Sequence, residues 1–594
     1  MSSSHDSQAG TPADRPEASA TSGADGQPAG SEDATLANDA STDGQAQGNK
    51  KKQVGRNEWR RLQADKRKQL NEDWGSKRQR VNDQGDSVDT RKANPFSNEE
   101  IAAEARRPKK KVAVMIGYSG TGYKGMQING KEMTIEGDIF KAFIAAGAIS
   151  KANADDPKKS SLARCARTDK GVHAAGNVIS LKLIIEDEDI VEKINANLPE
   201  QIRVWGIQRT SNSFSCYSLC DSRWYEYLLP TYCLLPPHPE SYLWKKLVQS
   251  AKDNNTYDEF KAKYSDVAGF WEEVEDKAIK PILEALDPDT RAEVLSRIHV
   301  MEETLDLEGN KASAKVAEQS TPAAAAATED APMNDAEQPA DTDTKTKGKE
   351  LGPVDFALRD IKAAYIKAKR AYRVTPERLQ MLQDALTQYE GTRNYHNYTV
   401  QKSYKDASSK RHIKSFEVNM KPIQIRDTQW VSLKVHGQSF MMHQIRKMVS
   451  MATLLVRAGT PVERISQSFG PDRIAIPKAP GLGLLLERPV FEGYNRKAID
   501  TLGKDPIDFD KYDEKIQAFK DKEIYQRIFE VEETENTFHT FFQQVDNFKS
   551  DFFLWLTAGG IEAGAIRTGT AGDAGKVADA GLDEEDEDPE GGEG

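Results

Sequence analysis

The chain has 594 residues, a formal net charge of -12 and a mean hydropathy of -0.69, with 37% hydrophobic residues. So polar a composition predicts packed units flanked or interrupted by unpacked tracts. No run approaches the roughly 18 uninterrupted apolar residues of a membrane helix, the polar N-terminus lacks a signal-like apolar stretch, and four cysteines are too few for a disulfide framework, so a soluble, non-secreted protein in a reducing compartment is expected.

The charge is segregated. Residues 1–49 carry eight acids against one arginine, residues 583–593 carry eight acids and no base, and residues 50–111 carry 19 Lys+Arg against 10 Asp+Glu. The overall acidity therefore does not exclude a nucleic-acid partner. Residues 1–49 have no hydrophobic periodicity and read as disordered. Within the basic tract, Arg106-Arg107-Pro108-Lys109-Lys110-Lys111-Val112 is a compact cationic cluster of the nuclear-import kind, or else a solvated or RNA-touching face.

Order is expected from Val112–Tyr118, a small-apolar run that reads as a buried strand. Thr134 is a good N-cap for a helix carrying Ile135, Ile139, Phe140 and Phe143. Strands are predicted at Val178–Ile185 and Arg203–Gln208, with a short helix near Ile190–Ala196 between them. Arg223–Leu229 alternates, placing Arg223, Tyr225 and Tyr227 on one face.

Helical patterns follow Pro236-Pro237 to about residue 300, then a tract holding Ala323–Ala327 that reads as an unstructured insertion. Helical periodicity resumes over Val354–Tyr389, with strands near His412–Met420 and Gln429–His436. A helix over Ser439–Arg457 has Met441, Ile445, Met448, Ala452 and Leu455 as its apolar stripe and Arg446 beside it. Residues 510–548 read as one or two amphipathic helices.

The domain reading is a tail with a basic, import-like tract (1–110), a first core half (111–230), a helical segment with an acidic insertion (231–350), a second core half (351–495), a helical extension (496–555) and an acidic tail (556–594). Interleaved strands and helices in the two halves predict an α+β core.

Three motifs invite chemistry. Gly120-Thr121-Gly122-Tyr123-Lys124-Gly125 is a literal GxGxxG, but a second turn signal follows it where a dinucleotide site needs a helix, so a simple glycine-rich turn is expected and an oxidoreductase is disfavoured. Cys216, Cys220, Cys233 and His238 could hold a structural zinc, yet their spacing is not the common one and ordinary thiols outweigh it. Asp169 lies among Arg164, Arg167 and Lys170, which favour its ionised form and suit a nucleophile, although Asp before Lys-Gly is also ordinary turn chemistry.

The segment Ala166-Arg167-Thr168-Asp169-Lys170-Gly171-Val172-His173-Ala174 resembles the signature of the tRNA pseudouridine synthase A (TruA) family, whose catalytic Asp falls at Asp169. Four further segments resemble the family in the same order: Gly117-Tyr118 through Gly125-Met126-Gln127, Asn195-Ala196-Asn197-Leu198-Pro199, Tyr225-Glu226-Tyr227, and Phe440-Met441-Met442-His443-Gln444-Ile445-Arg446. Met126 departs from the bacterial pattern, which usually has Trp there. The basic tract, insertion and C-terminal extension resemble the eukaryotic, nuclear branch.

The resemblance implies two ferredoxin-like halves forming one continuous mixed, mainly antiparallel sheet, with helices on one side and a central RNA-binding cleft. It implies a tRNA pseudouridine synthase acting by base flipping, without a cofactor, on uridines that include the anticodon stem-loop region, and on other RNAs such as snRNA or mRNA. Asp169, Tyr225 and Arg446 are the implied catalytic residues, with Arg167, Lys170, His173 and Arg223 as RNA contacts. A nuclear location and contact with the import machinery are expected, and monomer and dimer both stay open. The rival reading is a non-catalytic RNA-binding or RNA-folding protein on the same fold, against which the presence of all three catalytic candidates argues.

Overall fold

Strand β1 (Lys110–Tyr118) is buried on both faces from Lys111 onward, so it belongs inside a sheet. It pairs antiparallel with β3 (His173–Leu183) and β4 (Ile202–Arg209), while the short β2 (Ala163–Arg164) pairs with β3. The computed structural model describes residues 94–129, 132–298, 352–400 and 402–566, within the unit Lys92–Gly594. The basic stretch 50–92, the alanine tract 323–327 and the acidic tail 583–593 lie outside the described residues.

Helix α1 (Ile135–Ala145) starts as predicted, with Thr134 Oγ1 accepting from Gly137 N, and α2 (Ile190–Ala196) matches its expected span. Strand β5 (Ser222–Pro230) ends the first half, and helices between Tyr242 and Arg297 follow. The helical periodicity over Val354–Tyr389 is carried by two helices, α3 (Pro353–Ala371) and α4 (Pro376–Thr387). Thr375 caps α4 by accepting from Arg378 N, and Pro376 sits in its first turn, where a missing N–H costs nothing.

Strands β6 (Gly391–Asn394), β7 (Lys410–Val418), β8 (Ile423–Ile425) and β9 (Thr428–Gly437) lead to α5 (Gln444–Ala458) and then to β10 (Leu484–Val490). The main path of the sheet is β4-β1-β3-β10-β5-β9-β7-β6, with β8 on β9. β10 runs parallel to β3 and antiparallel to β5, so a strand from the second half sits between two from the first. All the other pairings are antiparallel, giving a mixed, mainly antiparallel α+β sheet.

β10 is absent from the expectations above. Its apolar run is only Leu484-Leu485-Leu486, followed by Glu487, Arg488 and Pro489, and pairing with strands hundreds of residues away supplies what the local pattern lacks. Helix α5 also differs, starting at Gln444 and buried at every residue except Lys447. The apolar stripe is real, but an all-round buried helix needs none.

The C-terminal extension crosses the sheet from β4, where Trp205 meets Phe519 at 5.3 Å, to β9, where Trp430 meets Phe529 at 4.9 Å. Between them Lys520 pairs with Glu226 of β5 and Glu487 of β10, and Ser432 and Tyr525 donate to Glu226. Burial by itself would raise Glu226, yet Lys520 and these hydrogen bonds hold it below the ordinary carboxylate range, whereas Glu487 is pushed up by burial. A π-turn at Lys520–Tyr525 leads into α6 (Gln526–Glu535) and then α7 (Thr537–Asn547).

The helices after Tyr242 join the second half through a buried ion pair. Arg378 of α4 is fully buried, with Nε and Nη2 donating to Asp266 at 2.8 Å and Nη1 to Leu234 O at 2.8 Å. We expect Arg378→Ala to lower stability by about 3–5 kcal/mol by leaving Asp266 without its partner. A loss under 1 kcal/mol in equilibrium denaturation would show that this pair does not hold the segments together.

Candidate active site

The loop between β2 and β3 carries Asp169 and is shaped from beneath by a buried network. Thr168 Oγ1 lies 2.9 Å from the hydroxyl of Tyr118, the last residue of β1. Asn177 Nδ2 of β3 donates to Ala166 O at 3.0 Å and to Tyr118 Oη at 3.3 Å. Burial pushes the Tyr118 phenol up to about 12, so it serves as a neutral hydroxyl.

The GxGxxG segment is the bed on which this loop rests. A Cβ at Gly120 would stand 2.2 Å from Val172 O, and Gly125 has φ 97° with room for a Cβ only 3.0 Å from Thr168 O. Met126 N donates to Thr168 O at 3.1 Å. The glycines are therefore a turn, as expected, and also permit a close backbone approach that any side chain would block.

Asp169 is half-buried, with Arg167 and Lys170 exposed on either side of it. Its Oδ2 faces the first turn of α5, 3.7 Å from Arg446 Nη1 and 3.6 Å from His443 Nε2. Both separations lie beyond a closed hydrogen bond, and both groups sit at the positive end of α5, where a carboxylate meets the helix dipole. Arg446 is itself buried, and its Nε donates to Ala479 O at 2.6 Å. Ala479 N returns a bond to Arg446 O at 3.3 Å, and a Cβ at Gly481 would lie 3.6 Å from the guanidinium. The Tyr227 hydroxyl donates to Pro480 O at 2.8 Å, so β5 pins this covering segment in place.

Tyr225 approaches the same region from β5, its ring edge-on to Phe440 at 5.2 Å, six residues before Arg446. Burial pushes its phenol above the ordinary range, so a preformed phenolate is not available there. Tyr225, Asp169 and Arg446 come from three separate stretches of sequence and meet around the connection between β9 and α5.

Three cationic or imidazole groups sit differently from expectation. Arg164 does not neighbour Asp169 as a charge partner but grips Glu136 of α1, with Nε and Nη2 donating at 2.9 and 3.0 Å. Arg223, expected to touch RNA, is buried: Nη2 donates to Cys165 O at 2.8 Å and Nη1 to Gln438 O at 3.4 Å. It is a strut between β5, the Asp169 loop and the β9–α5 connection. His173, also expected to touch RNA, is fully buried, its Nδ1 accepting from Gly120 N at 3.2 Å beside Ser119 Oγ at 3.2 Å. The strand missed above explains this burial, because Leu485 of β10 pairs directly with His173.

The cationic cluster before β1 is likewise folded in at its end. Lys111 is buried with Nζ donating to Ser161 O at 3.2 Å, Lys109 Nζ donates to Ser150 Oγ, and Arg107 Nη2 donates to Gly147 O. Among the described residues no group of three or more His, Cys, Asp or Glu side chains is placed to hold a metal. Cys216 Sγ donates to Ala163 O and Cys220 Sγ to Ser222 O, while His238 faces Glu275, so the imagined Cys₃His set is dispersed.

A family model described as tRNA pseudouridine synthase matches residues 385–492, which span β6 to β10 and include Arg446. The chain is 44% identical over 497 residues to tRNA pseudouridine synthase 1 of Yarrowia lipolytica, covering 83% of this chain and 85% of that one. It is 42% identical over 472 residues to the protein of that name in Schizosaccharomyces pombe, covering 78% and 88%. It is 33% identical over 435 residues to tRNA pseudouridine(27/28) synthase of Saccharomyces cerevisiae, covering 73% and 98%. The chain belongs to the tRNA pseudouridine synthase family and is an RNA pseudouridine synthase.

Burial of His173, with Arg527 adding repulsion, lowers its pKa from 6.5 to about 4, so the folded protein binds this proton more weakly than the unfolded chain does. Stability from the neutral imidazole is therefore complete above about pH 6.5 and is lost as pH falls toward 4, a change of about 3 kcal/mol. His173→Asn keeps an acceptor for Gly120 N and should flatten the fall in melting temperature between pH 6.5 and 4.5. An unchanged pH profile would place the acid sensitivity elsewhere.

Proposed function

We propose that this enzyme isomerises uridine to pseudouridine in tRNA, with Asp169 as the reacting carboxylate. The observation that carries the reading is the convergence of Asp169 with Arg446 and of Tyr225 with the connection leading to that arginine. In the reaction the N1–C1′ bond breaks, C1′ bonds to C5, the C5 proton is lost and N1 gains one. Mass and oxidation state are unchanged, so the proposal calls for no cofactor.

A base inside a helix or stacked loop is extruded first, at a cost of a few kcal/mol, and stacking on Tyr225 offsets about 1–3 kcal/mol of it. Asp169 then attacks C1′ or removes the C2′ proton to give a glycal, two routes that need the same ionised carboxylate. Arg446, held by Ala479 O, orients that carboxylate as water is displaced. Tyr225, as a neutral phenol, can accept the C5 proton only while handing on its own. Arg167 and Lys170, exposed beside Asp169, contact phosphate or fill the gap left by the flipped base.

We place the target uridines in the anticodon stem-loop region, in keeping with the positions 27/28 for which one relative is named, and extend the substrates to other structured RNAs. We place the enzyme in the nucleus. For import, residues 50–92 suit the role better than Arg106–Lys111, whose last lysine is packed into β1.

The test is turnover on unmodified tRNA with tritium at uridine C5. Wild-type protein should release tritium and create new carbodiimide-reactive sites, whereas Asp169→Asn should do neither, with tRNA binding within about threefold of wild type. Release by Asp169→Asn would remove the carboxylate from the chemistry. Absence of any new site with the wild-type protein would make it an RNA binder.

A further inference from the structure

Helix α5 begins in an unusual way. Its N-cap, His443, has φ 61° and ψ 0°, the left-handed region that a histidine enters only against steric resistance. Residues held so persist where their surroundings over-determine them, and they cluster at functional sites. The surroundings here are tight: Gln444 Oε1 accepts from Met441 N at 2.9 Å, Lys447 N donates to His443 O at 3.0 Å, and Phe440 packs on Tyr225.

An N-cap side chain ordinarily serves the amides of its own first turn, but His443 makes no such bond. Its imidazole is directed instead at the loop between β2 and β3, with Nε2 3.6 Å from Asp169 Oδ2 and only 6% of the side chain exposed. Arg446 Nη1 approaches the same oxygen at 3.7 Å. Two groups one helical turn apart therefore converge on one carboxylate oxygen. Separations just beyond hydrogen-bond range in a free enzyme commonly close once substrate is bound.

We propose that His443 is a positioning residue for Asp169. With Arg446 it clamps Oδ2 from a second side, so that Oδ1 is presented to the ribose. The left-handed backbone at position 443 is what aims the imidazole at the carboxylate. This rests on Asp169 being the reacting carboxylate.

Two substitutions separate aim from backbone. Asparagine adopts the left-handed region readily but its amide stops short of the position of imidazole Nε2, whereas the glutamine amide extends about as far as Nε2. With saturating enzyme and C5-tritiated tRNA, His443→Asn should slow single-turnover release between about tenfold and about a hundredfold. His443→Gln should recover to within about threefold of wild type, with tRNA Kd and Tm unchanged in both. A wild-type rate for His443→Asn, equal slowing in both variants, or Tm lowered in step with the rate would overturn the clamp. Asp169→Asn is measured alongside: if it is silent while His443→Asn is fast, the clamp fails and the nucleophile stands, and if it turns over, the reading beneath both fails.

Discussion

The structure depends on one electrostatic contact, the Asp169 carboxylate set against the first turn of α5, 3.7 Å from a buried arginine. A buried guanidinium is expensive unless its hydrogen bonds are met, and removing its partners costs more than the pair contributes by itself. Arg446 donates a hydrogen bond to Ala479 O on one side and has the Asp169 carboxylate as its charge partner on the other. The segment around Ala479–Gly481, the all-round burial of α5 and the hydroxyl of Tyr227 all serve to hold that guanidinium where the carboxylate can use it.

The other half of the contact is held equally firmly. The Asp169 loop is fixed by Tyr118, Asn177 and the two close glycines, and Arg223 ties its base to β5 and to the approach to α5. None of these groups needs to touch RNA. Their effect is to keep a half-exposed carboxylate in one orientation without solvent reorganisation during the reaction, which is where preorganised sites gain most. Behind the same strand, Lys520 and Tyr525 of the extension grip Glu226, between Tyr225 and Tyr227, so the extension bears on the site through β5.

Much of this was legible in the sequence where the signal is local. Thr134 announced α1 through ordinary capping, and Tyr225, Asp169 and Arg446 stood in segments specific enough to be read in order. What escaped was created by distant pairing. Leu484–Val490 lacks the alternation of a strand because Leu484, Leu485 and Leu486 are buried on both faces of the sheet, and once it is inserted between β3 and β5 His173 changes from a surface residue to a buried one. Arg223 escaped similarly, since β9 and the Cys165 carbonyl, both remote in sequence, turn a strand arginine into a strut. Gly120 and Gly125 were read as a turn; the close approach of Val172 and Thr168 that requires glycine there is again a tertiary fact. His443 lay in plain view within the Phe440–Arg446 segment, but only its positive φ and its distance to Asp169 mark it out.

The central claim is that Asp169, held against Arg446, meets the ribose of an extruded uridine. The most direct measurement is the structure of the Asp169→Asn chain bound to an unmodified tRNA. The account predicts a uridine out of its stack, its ribose facing residue 169 and its base on Tyr225, with Arg446 still turned toward position 169. A bound tRNA with every base stacked and residue 169 remote from any ribose would contradict it.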